Sequence, residues 1–197
     1  MTNLGTTYCL LMHVPYMFNM EALILVGGRV GGHTDTLCGS LSQSLSHDFS
    51  VRVINISELN VNQCTGCECC KGGRPCRFDD DMGMVIDAFD SADLIVFGTP
   101  VRFNGPSSQI KTVLDRFQSV WNDMDRLEHK VRRMCLLMTS GSDSPDPNPN
   151  LKIFRSFCCS FGGKWLGHAM LTGTDKGCGN GQSIVNELSD TISGLFI

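Results

Sequence analysis

Five cysteines crowd into residues 64–76, CTGCECCKGGRPC, and thiols so dense can hold a metal, pair as disulfides or stay free. Cys64, Cys67, Cys70 and Cys76 are spaced C-x2-C-x2-C-x5-C, with Gly66, Gly72 and Gly73 between them. One flexible loop of that kind can wrap four thiolates around a 4Fe–4S cubane, and the two-residue gaps are those of iron–sulfur ligation. Structural zinc more often takes two ligand pairs from separated knuckles, so four thiols in one loop suit it less well. Free thiols are the remaining alternative. Cys69 sits inside the motif as a fifth thiol, either a spare or a competitor for the third ligand position.

Disulfides are the weakest reading. The chain has 11 cysteines, an odd number, and its first Lys or Arg is Arg29, which leaves the positive start of an export signal missing. A reducing, cytoplasmic location is expected. Cys38, Cys135 and Cys158 stand among apolar residues and read as core, while Cys159 and Cys178 read as exposed. The five histidines are scattered without metal-ligand spacing. A net charge of −4 gives no electrostatic reason to expect nucleic acid or an anionic membrane as partner, and no apolar run is long enough to span a bilayer.

The elements around these residues alternate in type. Glu21–Gly27 (EALILVG) is a continuous apolar run, the mark of a strand buried on both faces. Leu37, Leu41 and Leu45 recur at helical spacing within Thr34–His47, and Val51, Val53 and Ile54 mark a second strand. Asp79–Asp81 offer N-caps for a helix whose apolar face is Met82, Val85, Ile86 and Phe89. Asp93–Thr99 is a third strand. A helix is predicted from Ser107 to Leu127 with Ile110, Val113, Leu114, Phe117 and Trp121 inward, and Arg132–Ser140 is a fourth strand. Leu151, Phe154, Phe157 and Phe161 predict a helix, His168–Leu171 a fifth strand, and Ile184, Leu188, Ile192 and Leu195 a last helix. Residues 20–197 thus form one α/β domain, a doubly wound five-stranded parallel sheet with a Cys-rich loop after the second strand. Residues 1–19 read as an extension of unknown role.

In such a sheet ligands sit beyond the carboxyl ends of the strands, at the switch in strand order. Three loops therefore matter. GGRVGGHTDT, residues 27–36, combines four glycines, two threonine hydroxyls and Arg29 ahead of a helix, which suits a phosphate. It lacks the dinucleotide fingerprint, since Val26 stands where the first glycine belongs, and it contains no Gly-Lys-Ser/Thr. GTPVRFNGPSSQIK, residues 98–111, has a stiff exit at Pro100 and a turn signal at Asn104-Gly105. Its backbone amides can meet the polar edge of a planar heterocycle, with Phe103 or the stem of Arg102 over the face. Each of these two loops also reads as a plain connector when taken alone. Residues 139–150 form the third loop.

Strand–GGRVGGHT–helix, then CTGCECCKGGRPCRFDDDM, then GTPVRFNGPSSQIKTVLDR resembles the NAD(P)H-dependent FMN reductase superfamily, and within it the iron–sulfur flavoproteins. The resemblance runs from residue 21 to about 175 and implies a flavodoxin-like fold. It gives Gly28, Arg29, His33, Thr34 and Thr36 to an FMN phosphate. It gives Pro100, Val101, Arg102, Phe103, Asn104 and Gly105 to the isoalloxazine ring, and has Thr139, Ser140 and Gly141 close the site. Lys111, Asp115 and Arg116 match a helix signature of structural character. The phosphate loop departs from the family in having Gly28 for a usual Ser and His33 for a usual Asn, and it is one residue short. The Arg102-Phe103 pair stands where Tyr or Trp is common.

The resemblance also implies a 4Fe–4S cluster on Cys64, Cys67, Cys70 and Cys76, with NAD(P)H as a possible donor stacked on the flavin. It implies a homodimer or homotetramer in which the cluster of one subunit approaches the flavin of another. The expected activity is electron transfer to a small molecule such as a quinone, a flavin or an aromatic metabolite, with no side chain required as acid or base. An electron carrier between proteins and a redox or iron sensor are the alternatives.

Overall fold

The computed structural model describes residues 20–177 and 180–194; the expected extension 1–19, Cys178 and Leu195 lie outside the described residues. Strands β1 (Glu21–Val26), β2 (Ser50–Asn55), β3 (Leu94–Pro100), β4 (Arg133–Thr139) and β5 (Lys164–Leu171) pair in parallel in the order β2-β1-β3-β4-β5. Helices α1 (His33–Leu45), α2 (Met82–Ser91), α3 (Ser108–Arg116), α4 (Gln118–Trp121), α5 (Asn148–Ser160) and α6 (Gly181–Ser193) cover the sheet. The strand order reverses between β1 and β3, so a crevice opens at their carboxyl ends.

Strand alternation sorts the core onto two faces. Leu23, Leu25, Ile95, Phe97 and Leu136 pack with residues of α2, α3 and α5, while Ala22, Ile24, Val26, Val96 and Leu137 pack with residues of α1 and α6. Both faces being covered explains why the central strands read as unbroken apolar runs. Phe97 meets Phe154 at 5.1 Å between ring centroids, which seats α5 against β3 and brings the start of α5 to the crevice.

Three expectations need correction. The helix predicted over 107–127 stops at Trp121 and is interrupted at Phe117. Asn122 and Asp123 are weak helix formers, Asp123 takes φ −152°, and residues 124–126 form a single 3-10 turn. Trp121 is not inward but 55% exposed, because the interruption turns it off the apolar stripe. The fifth strand starts at Lys164 rather than His168; a register shift against Met134 and Cys135 hides its first half from the period-two pattern.

Candidate functional site

The carboxyl ends of β1, β3 and β4 are tied by small hydroxyl side chains. The Ser107 hydroxyl donates to the Gly27 carbonyl at 2.5 Å, and the Ser107 N–H donates to Thr99 Oγ1 at 3.0 Å. Gly27 N–H in turn reaches the Gly98 carbonyl at 2.7 Å. Neither Thr99 nor Ser107 stands out in the sequence. Across the crevice, the Thr34 and Thr139 hydroxyls meet at 2.6 Å. The structure therefore brings the first and third predicted loops into direct contact.

Within the first loop, Gly31 adopts φ +67° and Gly32 caps α1 without a side-chain hydrogen bond. The first-turn N–H groups of α1 have no intrahelical partner, and the helix dipole favours an anion at that end. Arg29, His33 and Thr36 are exposed around that end, whereas Gly28 and Thr34 are buried. Asp35 holds the loop from below, accepting the Gly31 N–H at 2.9 Å and the Asn55 amide at 2.8 Å. Asp35 was not among the expected site residues.

The second loop is a tight turn. Arg102 and Gly105 exchange two backbone hydrogen bonds of 2.8 Å, with Phe103 at φ 49° and Asn104 at φ 62° between them. Two consecutive positive φ values make this a type I′ turn. It projects Phe103 fully into solvent. Pro100 pairs with Thr139 in the sheet, and Val101 N–H donates to the Thr139 carbonyl at 2.8 Å. The buried Asn150, at the start of α5, donates to the Asn104 carbonyl at 2.8 Å and pins the turn.

In the third loop Ser140 is buried and its N–H donates to the Leu171 carbonyl at 2.8 Å. Gly141 has no room for a side chain, since a Cβ there would run into the Asp175 carboxylate. All fourteen residues expected from the resemblance to hold FMN lie on the three loops or on the strand and helix ends that flank them, beyond the carboxyl ends of β1, β3 and β4.

The four spaced cysteines occupy a second place. Cys64, Cys67, Cys70 and Cys76 line one cavity of about 340 Å³ together with Arg77, Phe78, Arg116 and Asn122. Cys69 does not line it. Instead the Cys69 N–H and thiol hydrogen-bond to Cys67 and lower its thiol to about 7, while Cys69 itself is raised. Among the described residues, no three Cys, His, Asp or Glu side chains converge closely enough to hold a metal ion. None of the residues lining this cavity belongs to the three loops.

Arg116 forms the wall of the cavity. Its guanidinium is bidentate to Asp80, at 2.6 and 2.9 Å, and both side chains are buried. Arg116 also donates to the Asn62 carbonyl at 2.7 Å. Burial pushes the Asp80 carboxyl up, but Arg116 and the N–H groups of Asn62 and Met82 outweigh it and hold the group well below the usual carboxylate range. Of the three aspartates expected as N-caps, Asp80 is therefore the anchor of the Cys-rich loop. Asp81, at the cap position, makes no side-chain cap bond and accepts instead from the Asn60 N–H at 2.7 Å. Lys111 and Asp115 form an exposed ion pair one turn apart on α3. Cys38, Cys135 and Cys158 are buried in the core and Cys159 is exposed, as expected.

Comparison with known proteins bears on the family and the fold. The family profile described as NADPH-dependent FMN reductase matches residues 20–152. An iron–sulfur flavoprotein of Methanocaldococcus jannaschii is 30% identical over 89 residues, 45% of this chain and 46% of that protein. One from Methanosarcina thermophila is 28% identical over 104 residues, 52% of this chain and 54% of that protein. The match spans about half the length of these curated relatives. Among solved structures, a flavone reductase superposes with TM-score 0.64 at 17% identity, over 89% of this chain and 64% of that one. An FMN-dependent NADH-azoreductase from Bacillus anthracis, in complex with FMN, superposes with TM-score 0.61 at 15% identity, over 89% of this chain and 99% of that one. These structures share the fold.

Proposed function

The chain belongs to the NADPH-dependent FMN reductase family, and on that premise we propose that it is an FMN-dependent oxidoreductase carrying a 4Fe–4S cluster. The observation that carries this reading is the joining of the three loops at the β1/β3 switch point through Ser107, Thr99, Thr34 and Thr139. The residues present fit the flavin. The uncapped start of α1 and Arg29 would hold the phosphate, and the pinned turn 102–105 would hold the ring, with Phe103 or Arg102 at its face.

The cysteine cavity fits a cluster better than a single ion. A tetrahedral zinc needs four sulfurs at about 2.3 Å from one point, which asks for closely converged thiols. A cluster takes four thiolates spread around a larger body, and Cys64, Cys67, Cys70 and Cys76 line one cavity of about 340 Å³ without converging on a single point. Cys69, turned onto Cys67 and absent from the cavity wall, is the spare.

Bound in these two places, FMN supplies hydride chemistry and the cluster single-electron storage. The chain's own residues bind, orient and shield. Thr139 and Ser140 close the inner side of the ring site, and the turn at 102–105 leaves an open outer face for NAD(P)H and then for a small acceptor, a quinone, a flavin or an aromatic metabolite. The exposed Arg102 favours an anionic or aromatic substrate there. From the resemblance to the iron–sulfur flavoproteins we infer a homodimer or homotetramer that brings the cluster of one subunit to the flavin of another.

The test is anaerobic purification followed by flavin, iron, sulfide and zinc analysis, with sedimentation analysis of the oligomer. About one FMN and about four irons per chain, with flavin absorbance bleached by NADPH, are expected. A chain that binds no flavin would sink the reading of all three loops. Flavin with no iron after reconstitution would leave an FMN reductase with structural thiols.

A further inference from the structure

Two nitrogen donors, from Arg116 at the end of α3 and Asn122 just after α4, line the cavity of the four spaced thiols. Asn122 Nδ2 lies 3.3 Å from Cys70 Sγ and 3.4 Å from the Cys70 carbonyl. Its Oδ1 accepts from Gln118 Nε2 at 3.1 Å. Six residues earlier, Arg116 lines the same cavity as Cys76. Its two terminal nitrogens are engaged by Asp80 and Asn62, and its Nε–H is buried without a partner. A buried donor left unsatisfied costs about 1–3 kcal/mol, so an orphan lining a cavity of thiols signals an acceptor still to come.

We propose that Asn122 and Arg116 donate N–H···S hydrogen bonds to the thiolates of Cys70 and Cys76 in the loaded protein, and so raise the reduction potential of the cluster. The proposal rests on the cluster reading above. The physical ground is charge. Reduction adds an electron to an already anionic centre, and donors aimed at its sulfurs stabilise the reduced form more than the oxidised one. Asp80 holds the Arg116 guanidinium and Gln118 holds the Asn122 amide; both are positioning residues.

The test is an anaerobic dithionite titration, read by electron paramagnetic resonance, of the full chain reconstituted with iron and sulfide. The variants are Asn122→Ala and, because loss of Arg116 strands the buried Asp80, the conservative Arg116→Lys. Iron content equal to the parent, with the reduced-to-oxidised ratio at fixed potential lower by about tenfold in Asn122→Ala, is the expected result. For a one-electron couple that is about 59 mV more negative. Full iron and an unchanged midpoint in both variants would overturn this assignment while leaving the cluster reading intact. A parent chain that takes up no iron would overturn both, so the two failures are distinguishable.

Discussion

The Thr34 and Thr139 hydroxyls, 105 positions apart in sequence, meet at 2.6 Å in a buried contact that joins the start of α1 to the end of β4. This pair closes the ring of loops directly, and it leaves the Thr34 hydroxyl partnered inside the protein rather than free in solvent. Thr139→Val keeps the shape and removes one partner. The stranded Thr34 hydroxyl should cost about 1–2 kcal/mol, read as a lower urea midpoint, and the loosened loop should weaken FMN binding in a fluorescence-quenching titration. Unchanged stability would mean that Thr34 finds another acceptor and that the contact does not hold the loops.

Gly28 explains a departure from the family pattern. A Cβ at this position would stand 2.9 Å from the Thr34 Cβ and 3.2 Å from its Oγ1, and Thr34 is itself fixed by Thr139. The serine usual in the family therefore cannot be restored here without displacing α1. Gly28→Ser should destabilise by about 1–3 kcal/mol in denaturant unfolding, the cost of overpacking a fixed site. A neutral result would show that the loop shifts freely.

What the sequence revealed follows from how locally each feature is encoded. β1, β3 and β4 are buried on both faces, so their apolar runs are self-evident, and the loops that follow them could be chosen by topology alone. Spacing within the chain marked the four cysteines as a set, and the structure separates Cys69 from them by where its thiol turns. The ties between elements were not legible. Ser107 with Gly27, Asp80 with Arg116, and Asn122 with Cys70 are single polar residues separated by 80, 36 and 52 positions. Nothing in local propensity marks such partners. The overlong helix at 107–127 arose because Trp121 keeps helical spacing with Phe117 although the interruption at Phe117 turns it outward.

The Asp80–Arg116 pair gives the fold a defined acid sensitivity. The Asp80 carboxyl is held below its unfolded value, near 3.9, so its contribution is present in full above that value. It is lost as pH falls from about 4 through the lower folded value. Unfolding free energy measured from pH 6 down to pH 2 should therefore fall across the acid part of that range. Asp80→Asn should flatten the acid slope and, by leaving a buried guanidinium without its counter-charge, lower stability at pH 7 by about 3–5 kcal/mol. An unchanged acid slope would place the sensitivity in other carboxylates.

Phe103 sits where a non-glycine residue is strained, at φ 49° on a type I′ turn, with its ring fully exposed. Left-handed backbone costs a residue with a Cβ about 1–3 kcal/mol, and an exposed ring recovers none of it through burial. The strain persists because Asn150 pins the turn through the Asn104 carbonyl and the Arg102–Gly105 bonds close it. A strained, exposed aromatic at the mouth of the crevice is sensible if the ring covers a planar ligand. Stability and binding should then move in opposite directions. Phe103→Gly should raise the melting temperature by relieving the turn, yet weaken FMN binding roughly fivefold, the equivalent of about 1 kcal/mol of lost stacking. Phe103→Leu retains the strained backbone and loses only the ring, so it should weaken FMN to a similar degree with no gain in melting temperature. If both variants bind FMN as the parent does, Phe103 does not cover the flavin, and the covering role passes to the stem of Arg102.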